Sequence, residues 1–110
     1  MDELSKETEQ KISQLQLYEQ SLQSILLQKQ QFQSQLIETE SALKELETTK
    51  EAYKIIGNIM VASKKEDIKK DLESKKEIIS LRIKTLEKQE TQIREKAKKL
   101  QEEISKNIKG

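Results

Sequence analysis

Apolar residues recur every seven positions along most of this chain, in two interleaved series. In the first half one series runs Leu15, Leu22, Lys29, Leu36 and Leu43, and the other Tyr18, Ile25, Phe32, Thr39, Leu46 and Tyr53. Polar residues flank both, which is the stripe of a coiled-coil helix with a few polar slots. In the second half Leu72, Ile79, Leu86, Ile93 and Leu100 hold one position without a miss. The companion series has Ile83, Ala97 and Ile104, but Lys76 and Glu90 stand between them. The spacing predicts two long helices, residues 1–52 and 63–110, each roughly 70 Å long at about 1.5 Å per residue. Arms of matched length pair as an antiparallel coiled coil without an overhang.

Between them, residues 53–62 change period. Tyr53 and Ile55 alternate with Lys54 and Ile56; after Gly57-Asn58, Ile59 and Val61 alternate with Met60 and Ala62. Gly-Asn between β-branched runs signals a two-residue hairpin of the II′ or I′ kind. A simple helix–helix connection needs only a short polar loop, whereas this one is mostly apolar. The returning helix starts at Ser63-Lys64-Lys65-Glu66, the pattern of a capping box in which Ser63 and Glu66 bond each other's amides. The first helix weakens at Thr48-Thr49, where two β-branched residues lower helix propensity.

A lone two-stranded hairpin is marginal in water and leaves two edges open. No other segment reads as a strand, so the missing strands must come from other chains, by edge pairing or by closure into a barrel. The pattern therefore implies an obligate oligomer joined at residues 53–62. The fold class is mainly α: a single unit of 110 residues, two helices in an antiparallel coiled coil, and one hairpin completed between subunits, by edge pairing or as an intersubunit β-barrel.

Composition narrows the chemistry. Proline, cysteine and histidine are all absent, which removes disulfides, thiolates, the commonest metal ligand and the usual neutral-pH base. With two glycines there is no glycine-rich phosphate loop, and the carboxylates read as helix-surface charge, so no enzyme, cofactor or metal is expected. No apolar run is long enough to span a membrane and "MDELSKETEQ" is no signal peptide, so the expectation is a soluble, cytoplasmic protein.

The net charge of +1 hides an asymmetry: residues 1–52 hold 5 basic and 10 acidic side chains, residues 53–110 hold 16 and 10. Opposite signs favour the two arms lying side by side. The basic run Arg94, Lys96, Lys98 and Lys99 is interleaved with acids, and no aromatic residue follows Tyr53 to stack on a base, so nucleic acid is not the expected partner.

Residues 12–37 carry just two charges, Glu19 and Lys29, and are rich in Gln. Leu17, Leu26, Leu27 and Ile37 lie off the seam there. They are either helix packing that a strict heptad misses, or a surface that touches partners without selecting them by charge.

The long helix, the hairpin "YKIIGNIMV", and a second long helix containing "RIKTLEKQE" resemble the prefoldin family over nearly the whole chain. The most specific portion is Tyr53, Lys54, Ile56, Gly57, Ile59 and Met60. A single hairpin is similar to the β class, above all the archaeal members. The resemblance implies an ATP-independent holdase: a hexamer of two α-class and four β-class subunits, whose hairpins form a barrel platform with coiled-coil tentacles. Unfolded client proteins would be held near the tentacle ends and passed to a group II chaperonin. On this reading Tyr53, Ile55, Ile56, Gly57, Ile59, Met60 and Val61 serve oligomerisation. Leu4, Ile12, Leu15, Ile104 and Ile108 are candidates by position for client binding. The alternative is a non-chaperone coiled-coil adaptor or scaffold for specific folded partners.

Overall fold

The computed structural model describes residues 5–109. The chain runs α1 (Lys6–Thr48), β1 (Ala52–Ile56), β2 (Ile59–Ser63) and α2 (Lys65–Lys109), so two long helices flank one antiparallel hairpin as the periodicity implied.

Each boundary has a local cause. Ser5 caps α1: its hydroxyl accepts the Thr8 amide at 3.1 Å and its carbonyl accepts the Glu9 amide at 3.0 Å. Glu7 and Glu9 add negative charge at this positive end of the helix dipole. At the other end Thr48 and Thr49 turn their hydroxyls back onto the Glu45 carbonyl, at 3.3 and 2.7 Å. The last turn of α1 has no basic residue of its own, and the Lys65 ammonium donates to the Glu47 carbonyl at 3.1 Å. The heptad therefore stops short of Tyr53. Of the two places the sequence offered Tyr53, the end of the seam and the start of the hairpin, it takes the second: it lies in β1 and is exposed.

The start of α2 also departs from expectation. The Lys64 carbonyl accepts the Asp67 and Ile68 amides at 3.1 and 3.2 Å, so the helix begins one residue later than a Ser63 cap requires. Ser63 is the last residue of β2, paired with Ala52, and its hydroxyl donates to the Val61 carbonyl at 3.3 Å. Strand pairing holds Ser63 in the sheet, and the capping box with Glu66 does not form.

The described residues fall into two compact units. One combines the stretch of α1 up to Lys29 with α2 from Thr85 onward; the other is Gln30–Lys84 and contains the hairpin. In the first, Thr8, Ile25, Leu86, Ala97 and Ile104 are buried. Contacts of Lys11 with Glu103 and of Lys29 with Glu90 show an antiparallel pairing, since one number falls as the other rises. In the second, Thr39, Leu46, Ile79 and Ile83 are buried, and the Arg82 guanidinium lies 5.5 Å from the centre of the Phe32 ring. Within each unit the buried residues are the heptad positions. Burying a side chain of the Leu or Ile class contributes about 1.5–3 kcal/mol, and a long helix draws most of its stability from such a stripe.

Candidate functional site

The hairpin brings together every residue assigned to assembly. Its register pairs Tyr53 with Ala62, Lys54 with Val61, Ile55 with Met60 and Ile56 with Ile59. Gly57 has φ +59° and no other described residue has positive φ, so the turn is of the II′ kind, with the left-handed residue first. Cross-strand partners share a face. One face therefore carries Tyr53, Ile55, Met60 and Ala62, and the other Lys54, Ile56, Ile59 and Val61. Both faces are apolar, and both are open: Ile55 is 70% exposed, Met60 66% and Ile59 65%.

Two polar contacts trim the base of this element. Lys54 pairs with Asp71 of α2 at 3.2 Å, and the Tyr53 hydroxyl donates to the Glu51 carboxylate at 2.8 Å. That bond, with slight desolvation behind it, raises the phenol above its ordinary value. Neither contact covers an aliphatic side chain. A sheet normally hides at least one face against a core, and here neither is hidden.

The second candidate region lies in the other unit. Leu15, Ile104 and Ile108 line one open groove of about 310 Å³, together with Gln101 and Ser105. Ile104 is 8% exposed and forms its packed floor, whereas Ile108 is 59% exposed at its rim. Ile12 is half-buried nearby in sequence, and Leu4 lies outside the described residues. Sequence position alone grouped these residues; the structure separates the one facing solvent from those holding the helices together.

The polar slots in the two seams answer each other. The Lys29 ammonium reaches the Glu90 carboxylate at 3.2 Å, each side chain 16% exposed, and Arg94 binds the second Glu90 oxygen at 3.2 Å. Hydrogen bonds from Lys29 first and Arg94 second hold the Glu90 carboxyl below its ordinary range. A slip of one heptad would set Glu90 against Leu22 and Lys29 against Ile83, or, in the other direction, Glu90 against Leu36 and Lys29 against Ala97, leaving each charge on aliphatic carbon. The pair thus fixes register, the best-attested use of a polar residue in a coiled-coil seam. Thr39 manages alone, donating to the Gln35 carbonyl at 2.7 Å. Thr8 accepts from Asn107 at 3.5 Å.

Off the seam, Leu17, Leu26, Leu27 and Ile37 are all exposed, so they are surface and not missed packing. Ile78 and Leu81 are exposed as well, a feature the heptad reading passed over. The adjacent pair Ile78-Ile79 held the signal: on a helix only one of two neighbours can face a seam. Among the described residues no group of three or more acidic, His or Cys side chains is placed to hold a metal. No helix there is long and apolar enough to cross a membrane.

Residues 9–110 match the family described as "Prefoldin subunit". Among curated proteins the chain is similar to prefoldin subunit beta of Archaeoglobus fulgidus, 48% identical over 52 residues, which is 47% of this chain and 45% of that one. It is also similar to prefoldin subunit beta of Sulfurisphaera tokodaii, 42% identical over 53 residues, covering 48% and 42%. The matched stretch spans a little under half the length of these curated relatives. Among solved structures, the prefoldin beta subunit from Thermococcus strain KS-1 superposes with a TM-score of 0.92 at 31% identity, over 100% of this chain and 99% of that one.

Proposed function

The chain belongs to the prefoldin family, and on that premise we propose that it is a β-class subunit of an ATP-independent holdase. In this reading it assembles with an α-class subunit into an α2β4 hexamer in the cytoplasm. The assembly binds unfolded proteins with its coiled-coil arms and hands them to a group II chaperonin.

The observation that carries the proposal is the hairpin with two exposed apolar faces that no other described residue of the chain covers. Such an element is unstable alone and finds its neighbours in other subunits, where Tyr53, Ile55, Ile56, Ile59, Met60 and Val61 become interior. Gly57 supplies the turn that sets their register. The groove of Leu15, Ile104 and Ile108, with Ile108 at its rim, supports client contact at that end of the helices. Each such contact is weak, and tethering several arms to one base raises their effective concentration. Weak single contacts also explain how a client is released without nucleotide.

The test mixes the full chain with an α-class partner, weighs the complex by light scattering, and follows aggregation of several unrelated denatured proteins. A holdase delays all of them at near-stoichiometric ratio without ATP. An adaptor for folded partners delays none, and that result would replace this reading with the adaptor one.

A further inference from the structure

The outward surfaces of the two helices differ in kind within the unit that holds Lys29 and Glu90. Along α1, Gln10, Ser13, Leu17, Gln20, Ser24 and Leu27 follow one another at steps of three and four residues, so they form one stripe along the helix. All six are exposed and none is charged. Leu17 is 54% exposed and Leu27 62%. The stripe begins in an open groove of about 560 Å³ bounded by Lys6, Glu9, Gln10, Ser13, Gln14 and Leu17.

The matching stripe of α2 is Lys88, Gln92, Glu95, Lys99, Glu102 and Lys106, every one of them exposed as well. Its charges alternate in sign, the pattern of a solvated helix face. Solubility does not explain why α1 lacks the same treatment. The one basic residue of residues 12–28 and their neighbour is Lys29, and its charge is turned inward and spent on Glu90.

We propose that this α1 stripe is a client-contacting surface, and that it takes an extended, uncharged polypeptide segment with two aliphatic side chains four residues apart. The proposal rests on the holdase reading above and adds the surface and the chemistry of its ligand. An absence of charge admits a partner without charge, since a buried ion with no counterpart is penalised. The amides of Gln10 and Gln20 each offer both donors and an acceptor, which suits the peptide groups of an unfolded backbone. Leu17 and Leu27 stand ten residues apart on the helix, about 15 Å at the helical rise. An extended chain covers roughly 13 Å in four residues, and side chains four apart point to the same side. One aliphatic residue can then meet Leu17 while the next meets Leu27.

The test uses the full chain in its assembled form, with Leu17→Gln/Leu27→Gln as the variant. Glutamine is a good helix former, so the double change leaves the helix intact. The probe is a labelled peptide of Ser and Gln with two leucines four residues apart, read by fluorescence anisotropy beside suppression of denatured-protein aggregation. The expected result is at least about tenfold weaker peptide binding by the variant. Moving the peptide leucines to three apart should weaken binding severalfold, and a tenfold rise in salt should leave it nearly unchanged. If the wild-type assembly fails to suppress aggregation, the holdase reading falls and this proposal with it. If the wild type suppresses and the variant does so equally, the stripe proposal alone is overturned. A change in assembled mass in the variant would mark the stripe as a contact between copies and overturn it too.

Discussion

The seam between α1 and α2 and the hairpin are built from the same aliphatic side chains, but they meet opposite fates. In the seam Ile25, Ile79, Ile83 and Leu86 are buried within one chain. In the hairpin Ile55, Ile56, Ile59 and Met60 stay in solvent. Period accounts for the difference. A heptad concentrates apolar residues on one stripe, and a second helix of the same chain can cover that stripe. A strand alternates its side chains between two faces, so an apolar run in a strand asks for cover on both sides. One hairpin cannot provide it. The seam makes the arm, and the hairpin makes the arm need company.

The largest way to break this contrast is to remove the hairpin's apolar faces. Replacing Ile55, Ile59 and Val61 with Ser should drop the assembled mass toward the 12.9 kDa of the single chain while helix content by circular dichroism persists. An assembly that survives these changes in light scattering would show that the hairpin is not the joint. A seam change should do the reverse. Ile79 is 3% exposed, and Ile79→Ala should cost about 2–5 kcal/mol of stability in thermal unfolding while the assembled mass below the transition stays unchanged. Loss of assembly without loss of stability would mean that the two regions are not separable.

The smallest effect is the most diagnostic of register. Glu90→Gln leaves the Lys29 ammonium half-buried without its counter-ion and should cost on the order of 1 kcal/mol. The sign of its pH dependence follows from the direction of the shift. The Glu90 carboxyl titrates lower in the folded chain than its ordinary value of 4.5. Its contribution is therefore complete above that value and is lost as pH falls below it, through the depressed folded value. Acid unfolding followed by circular dichroism should be less steep in Glu90→Gln than in the parent chain. Identical acid profiles would remove the pair from any role in holding the arms in register.

Most seam positions, the hairpin, its turn residues and its two-faced apolar character were all legible in the amino-acid sequence, because each rests on a local period. What escaped depended on competition between neighbours. The heptad series could be carried on to Tyr53, which the period change also placed in the hairpin, but α1 ends at Thr48, with Thr48 and Thr49 bonded back to Glu45. Ser63 satisfied the capping pattern, but its pairing with Ala52 claimed it first. Lys29 and Glu90 each looked like a defect in a separate stripe; only the alignment of two helices turns them into a pair. Exposure of Leu17, Leu26 and Leu27 was open in the sequence for a similar reason. Whether an off-seam leucine is covered depends on a neighbour's position, which the period of a single helix does not specify.

The doubly apolar hairpin also bears on how such a chain must be handled in a cell. Until its neighbours arrive, each copy displays a short, sticky, open-edged sheet of the sort that recruits other strands indiscriminately. On the proposed holdase reading, a subunit that keeps others from clumping is then, in its first moments, a candidate for clumping itself. On that same reading its supply has to be matched to that of its proposed partners, and a surplus of orphan copies becomes a burden on the quality control it would serve.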